Sequence, residues 1–316
     1  MQILVTGASG FVGGSFIRRF AGRADLDLIG LGRRASDLPQ YQRVDLSQPF
    51  DLPCNPDVVI HAAARASPWG TTAEFEAQNV SATQHVIDFC RRHGRPRLLY
   101  VSSSSVFYRN AHQHGLTESS PIGPQFVNEY AATKYRGELL LRDYEGESAV
   151  LRPRAVFGPG DTVLFPRVLA AARKDVLPLF VGASEPVMGD LIYIDVLSDY
   201  LLRAATLPTI SGSYNLTNAE PVPLQALLLD VLSKLGLPAP TRRVKIATAM
   251  RMAGALEWLY RTLRLSGEPP ITQFGVGVFA YSKTFDVSRA LADLGPPSLA
   301  LREGVERFVA WQRGQW

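Results

Sequence analysis

The chain is poor in the residues that build disulfide scaffolds and metal sites. Of 316 residues, two are cysteine and five histidine. Cys54 and Cys90 stand far apart with no CxxC pair, which excludes a disulfide-stapled fold and leaves reduced structural thiols as the expectation. His112 and His114 have no third ligand near them in sequence, so no metal site is expected. No apolar run reaches the roughly 18 residues of a membrane helix, which argues against stable membrane insertion. Met1 leads directly into a strand-like run with no basic start and no small-residue cleavage site, so a cytoplasmic location is expected. The net charge is +4, yet no run of five like charges occurs, and no nucleic-acid partner is expected. Internal repeats and low-complexity segments are also lacking, which argues against a solenoid or a disordered tail.

What is present is an ordinary globular composition, 46% hydrophobic, in a chain long enough for one large domain or two coupled ones. The first half alternates β-rich runs at 3–6, 26–31, 58–61, 98–102 and 149–151 with helical patterns at 11–21, 72–93 and 129–144. That order predicts an α/β fold with a doubly wound parallel sheet. After Arg152 the pattern turns irregular and Pro-rich, with helices expected at 224–235, 245–263 and 301–312. The second half is therefore expected to carry substrate contacts.

Between the first strand and first helix lies Thr6-Gly7-Ala8-Ser9-Gly10-Phe11-Val12-Gly13. Glycines there allow a tight turn and a close backbone approach, so a pyrophosphate can rest on the helix N-terminus. The second strand runs into Gly32-Arg33-Arg34 and leaves no carboxylate to meet the adenosine ribose. A guanidinium there can grip a 2′-phosphate, so NADP(H) is the expected cofactor, with NAD(H) the alternative. Asp45 and Leu46, after the next short strand, are placed to hold the adenine edge.

Tyr130 and Lys134 stand four apart on a predicted helix and so share one face. An ammonium beside a phenol favours its ionised form, which predicts a lowered pKa for Tyr130. The strand at 98–102 ends in Ser102-Ser103-Ser104-Ser105, putting hydroxyls at the carboxyl edge of the sheet, where ligands of such folds bind.

These residues, with His61-Ala62-Ala63-Ala64 at a strand end, resemble the extended short-chain dehydrogenase/reductases, whose TGxxGxxG and YxxxK patterns appear here in the expected order. The run from Arg152 to Asp161 and the run from Asp190 to Asp195 look like the 3β-hydroxysteroid dehydrogenase branch. Gly267-Glu268-Pro269-Pro270 and the 63–70 stretch are similar to bacterial 2-alkyl-3-oxoalkanoate reductases. The resemblance implies a Rossmann-type sheet with a smaller mixed α/β C-terminal substrate domain. Residues 1–152, with a return segment near 188–217, would bind the dinucleotide, and 153–187 with 218–316 the substrate.

It also implies Tyr130 as proton donor or acceptor, Lys134 as its partner and a ligand of the nicotinamide ribose, and Ser103 as the carbonyl-orienting hydroxyl, with Ser104 as the alternative. Asn79 would support Lys134. Ala62, Ala63, Ala64, Pro153, Ala155 and Val156 would line the cofactor. A homodimer through the helices containing Val86 and Tyr130 is implied as well.

The expected activity is hydride transfer between NADP(H) and an apolar ketone or secondary alcohol. Trp69, Phe157, Phe165 and the run 271–281 are candidate pocket walls. Residues 245–263 place Ile246, Met250, Ala253, Leu256, Tyr260 and Leu263 at helical spacing, expected to dock onto the domain, with a lipid-like substrate or a membrane surface as other contacts. Two alternatives stay open: a sugar-nucleotide epimerase or dehydratase on the same scaffold, and a non-catalytic NADP-sensing protein. Against a dehydratase, Ser104 and Ser105 stand where such enzymes generally place an Asp-Glu pair.

Overall fold

A computed structural model describes residues 1–182 and 185–315. Seven parallel strands form the central sheet in the order Gly212–Leu216, Ser148–Pro153, Arg97–Val101, Val58–His61, Gln2–Thr6, Asp27–Gly32 and Tyr41–Arg43. The strand order reverses at Gln2–Thr6, whose neighbours are Asp27–Gly32 and Val58–His61. In open sheets of this kind the crevice for a ligand forms at that switch point.

Helices cover both faces, which is why the central strands read as unbroken apolar runs instead of alternating ones. Ile3, Leu4 and Val5 are all fully buried. Successive side chains nevertheless go to opposite faces. Ile3 and Val5 join one core with Phe16, Ile60 and Leu151, while Leu4 joins the other with Val59, Tyr100 and Phe89. Val86 is also fully buried in that second core, so its side chain faces inward.

The helix expected at 72–93 is broken into three parts. Thr72–Phe75 opens on a capping box formed by Thr71 and Glu74, Glu76–Ser81 is π-helical, and Ala82–Arg92 resumes the α-helix. The wider π turn carries Asn79, which is 1% exposed. Glu129–Leu140 has Gly137 at its centre, where a Cβ would stand 2.7 Å from the Tyr100 ring carbon Cζ. A mid-helix glycine costs about 0.5–1 kcal/mol relative to alanine. Here it lets the helix close on Tyr100.

The C-terminal part holds helices at Leu224–Lys234, Ile246–Thr262 and Leu301–Arg313, near the expected bounds. Periodicity does not single out four further helices, Phe165–Arg173, Ile194–Thr206, Gln273–Ala280 and Ser288–Leu294. Of Ile246–Thr262, the face with Ala249 and Ala253 packs on Val276 and Ala280, joined by Ile246 and Met250. Trp258 and Leu263 on the other side are 66% and 59% exposed, so the helix docks by one side only. Phe157 and Phe165, expected as pocket wall, are instead buried in an aromatic cluster with Tyr193 and Phe308. Both are apolar enough for either place, and packing decided for the core. No described helix is long and apolar enough to cross a membrane.

Candidate active site

The glycine turn sits at the carboxyl end of the first strand. Gly7 has φ of 71°, and a Cβ on it would stand 2.8 Å from Ala63 N. A Cβ on Gly13 would stand 2.7 Å from the Gly7 carbonyl oxygen. The helix Phe11–Phe20 begins at Gly10 with no side-chain cap, so its first-turn N–H groups and positive dipole end are left for a ligand.

Two connected spaces border this turn. One, of about 170 Å³, is lined by Gly7, Ser9, Gly10, Arg33, Arg34, Asp45, Leu46, Ala63 and Ala64 among others. The second, of about 380 Å³, takes in Gly7, Gly10, Phe11, Val12, Arg34, Ala62, Ala63 and Ala64, then Ser103, Ser104, Tyr130, Lys134, Pro153, Ala155 and Val156. The shared lining makes one trough from the arginines to the Tyr and Lys. A dinucleotide fits it: backbone crowded against glycine, an uncapped helix start, and exposed guanidinium groups at the far end. Gly13 and Asn79 line neither space. Gly13 acts through its close approach to Gly7.

The support expected of Asn79 for Lys134 is indirect in this geometry, since its side-chain hydrogen bonds go to Arg65 and Thr133. Its Oδ1 accepts from Arg65 N at 2.7 Å and its Nδ2 donates to Thr133 Oγ1 at 2.9 Å. Thr133 in turn donates to the Glu129 carbonyl at 2.8 Å, within the helix that carries Tyr130 and Lys134. The π turn aims Asn79 at the side of that helix, one residue from Lys134. Its effect on the lysine is therefore positional.

His61 joins the two ends of this arrangement. Thr83 donates its hydroxyl proton to the Asn79 carbonyl at 2.5 Å, so it accepts from His61 Nε2 at 3.0 Å. That leaves Nδ1 to accept from Thr6 Oγ1 at 2.7 Å, and Thr6 Oγ1 accepts from Ala63 N at 3.1 Å. Burial, and then the charge of Lys134, push the imidazole down to about 3, so it stays neutral. One hydrogen-bonded line thus runs from the cofactor turn to the Tyr–Lys helix.

Ser103 is the half-buried member of its serine run, whereas Ser102, Ser104 and Ser105 are buried. Both candidate hydroxyls have partners, Ser104 the Tyr108 hydroxyl at 3.2 Å and Ser103 the Ser105 hydroxyl at 2.9 Å, so it is the greater exposure of Ser103 that favours it as the one to meet a ligand. The expected lowering of Tyr130 by Lys134 does not occur in this structure. Burial pushes the Tyr130 phenol up to about 12, with hydrogen bonding to Ser103 acting the other way. The Lys134 ammonium lies 4.0 Å from the centroid of the Tyr100 ring, and burial pushes it down to about 7. The apolar walls outweigh the attraction that the spacing suggested.

The depressed lysines make a stability prediction. Lys134 and Lys283 are both pushed down to about 7, chiefly by burial, from an unfolded value of about 10.4. Between those pH values the unfolded chain binds more protons, so stability rises with pH. The urea midpoint of the ligand-free protein is expected to increase from pH 7 to pH 9, and Lys134→Met to reduce that increase. A flat or falling midpoint across the interval contradicts the assignment. The raised Cys90 and Tyr130, each at about 12, act the other way from about pH 8.5 and about pH 10 upward.

Two residues that the sequence reading passed over stand at the same cleft. Tyr108 and Arg154 both line it, with the Arg154 Cζ 5.3 Å from the centroid of the Tyr108 ring. The position of Arg154 just past the end of the strand Ser148–Pro153 is the one sequence signal that could have found it.

Comparison with known proteins agrees with this geometry. The profile of the NAD dependent epimerase/dehydratase family matches residues 3–216. The 2-alkyl-3-oxoalkanoate reductase of Stenotrophomonas maltophilia is 33% identical, with 98% of this chain and 99% of that protein aligned. The 3beta-hydroxysteroid-dehydrogenase/decarboxylase isoform 1 of Arabidopsis thaliana is 30% identical over 80% of this chain and 61% of its own length. Among solved structures, UDP-glucuronic acid 4-epimerase from Bacillus cereus in complex with NAD shares the fold, with a TM-score of 0.74 at 20% identity over the full length of both chains. The chain belongs to the NAD dependent epimerase/dehydratase family, the extended short-chain dehydrogenase/reductases, and is an NAD(P)-dependent oxidoreductase.

Proposed function

We propose that the protein is an NADP(H)-dependent reductase that interconverts a ketone and a secondary alcohol on an apolar substrate. The observation that carries this reading is the lining around Ser103 and Tyr130. Its described residues include no Asp or Glu, and its outer wall is mostly apolar, with Ala66, Pro68, Val163, Leu164, Phe274 and Val278 beside Ser67 and Thr162. Eliminating water from a sugar nucleotide calls for an acid and a base of the carboxylate kind, and a sugar calls for hydrogen-bonding partners. This lining has no carboxylate pair and few polar groups on its outer wall. The similarity to 2-alkyl-3-oxoalkanoate reductases supports the same reading.

Within this site Ser103 orients the carbonyl, and Tyr130, held protonated by its burial, donates the proton as charge develops on the oxygen. Lys134 stands behind Tyr130 as the ligand of the nicotinamide ribose. When bound, the cofactor supplies the hydride. Purified protein is expected to oxidise NADPH in step with reduction of long-chain 3-oxo acids or 3-ketosteroids. Change in the configuration of a nucleotide sugar without NADPH consumption rejects the reading in favour of an epimerase.

Cofactor choice rests on Arg33 and Arg34, both exposed and both lining the 170 Å³ end of the trough. Arg34 Nη2 already donates to the Ser9 carbonyl at 2.7 Å, which steadies the guanidinium. Replacing either arginine with alanine is expected to cut kcat/KM for NADPH by about tenfold or more while that for NADH holds, since a charge-assisted hydrogen bond is worth about 1.5–3 kcal/mol. Equal losses with both cofactors contradict the 2′-phosphate role.

A further inference from the structure

Single exposed hydrophobic side chains are ordinary on a folded protein, but a cluster of them marks a contact surface. Of the nine exposed large hydrophobic side chains among the described residues, five fall within one short stretch: Met252, Trp258, Leu259, Leu263 and Leu265. Met252, Leu259 and Leu263 recur at helical intervals along Ile246–Thr262 and its cap, with Trp258 beside Leu259. They share the side turned away from the buried Ala249 and Ala253.

The charges around this apolar stripe are of one sign. Residues 241–265 hold six Lys or Arg and one acid. All six cations, Arg242, Arg243, Lys245, Arg251, Arg261 and Arg264, are exposed. None of them is in an ion pair among the described residues. Exposed arginines elsewhere are paired, as Arg23 is with Asp25 and Arg307 with Glu303. The one acid, Glu257, is spent inward, its Oε1 accepting from Gln273 N at 2.8 Å.

We infer that the outer side of Ile246–Thr262 is a peripheral docking face for an anionic lipid surface. Apolar side chains of such a helix enter the acyl boundary, an indole sits at headgroup level, and guanidinium groups meet the phosphates. A second copy of the chain suits the face poorly, because a two-fold contact sets the patch against itself and its unpaired cations against like charge. The inference goes beyond the reductase reading and does not depend on it. The face adjoins the site: the Trp69 ring meets Tyr260 at a centroid distance of 6.3 Å and the Arg261 Cζ at 5.1 Å. Ala66, Ser67 and Pro68, just before Trp69, line the catalytic cleft. On the reductase reading, docking holds the rim of the cleft near the phase in which an apolar substrate gathers.

The test is sedimentation of the full chain with vesicles of pure phosphatidylcholine or of phosphatidylcholine carrying about 30 mol% phosphatidylglycerol. Binding to the anionic vesicles is expected to be about tenfold tighter or more, and to weaken as salt is added. Arg251→Gln combined with Arg264→Gln is expected to cost about 25-fold, roughly fivefold for each charge, and Trp258→Ser about tenfold. These side chains are exposed, so urea midpoints are expected to hold. No binding to either vesicle, or equal binding to both, overturns the inference, and that comparison needs no variant. Anionic binding that survives both sets of substitutions also overturns it, by placing the lipid contact elsewhere. A dimer that Trp258→Ser dissociates, without vesicle binding, gives the face to a second copy and overturns it as well. Failure to reduce any ketone while vesicle binding stands sinks the reductase reading alone.

Discussion

Replacing Tyr130 with phenylalanine is expected to lower kcat by about 10²–10⁴ with NADPH affinity unchanged, the usual contribution of a positioned general acid. The change removes one oxygen at the cleft and leaves the glycine turn, the arginines and the hydrophobic contacts of the ring in place. The phenol is held up at about 12 by burial, so it enters the reduction protonated, as a donor must. Its hydrogen bond with Ser103 would tie the proposed proton donor and the proposed carbonyl-orienting hydroxyl into one unit. Residues acting as a unit are not additive. Ser103→Ala in the Tyr130→Phe background should therefore cost far less than Ser103→Ala alone. Stopped-flow single-turnover rates with saturating NADPH decide this. A rate within a few-fold of wild type for Tyr130→Phe removes the tyrosine from proton transfer.

Glu138→Ala is expected to destabilise the fold by about 3–5 kcal/mol, the cost of leaving a buried charge unpaired. Glu138 and Arg152 are each 5% exposed in their side chains and meet in a bidentate pair, Arg152 Nε donating to Oε1 at 2.9 Å and Nη2 to Oε2 at 2.7 Å. Ser102 Oγ donates to the same Oε1 at 2.5 Å. The cluster joins the catalytic helix to the ends of two sheet strands, so its loss is felt at the site as well as in the core. Urea denaturation monitored by circular dichroism gives the free energy directly. A loss below about 1 kcal/mol, the range of surface pairs, contradicts the buried-pair account.

The five inner strands of the sheet were legible because they fill both faces with apolar side chains, a pattern that survives without tertiary information, whereas the edge strands Tyr41–Arg43 and Gly212–Leu216 lack it. The glycine turn was legible because backbone crowding leaves so few residue types at Gly7 and Gly13. Chemistry that depends on which way a side chain turns was not. Spacing put Tyr130 and Lys134 on one helix face, but burial of the phenol raises Tyr130 instead of lowering it, and the close approach permitted by Gly137 puts Tyr100 under the lysine. Phe157 and Phe165 show the same limit, since an apolar aromatic reads alike in a core and in a pocket wall.

The helix Gln273–Ala280 carries no charged residue, and it stands between two spaces. Phe274 and Val278 face the catalytic cleft, while Gly275, Val276 and Phe279 face a largely apolar groove of about 660 Å³ behind it. On the proposed reading, trimming Phe274 or Val278 is expected to lengthen the bore available to a chain without touching Ser103, Tyr130 or Lys134. How long a molecule such an enzyme accepts and whether it can react would then be written in different parts of the sequence, and the first could drift while the second stands still.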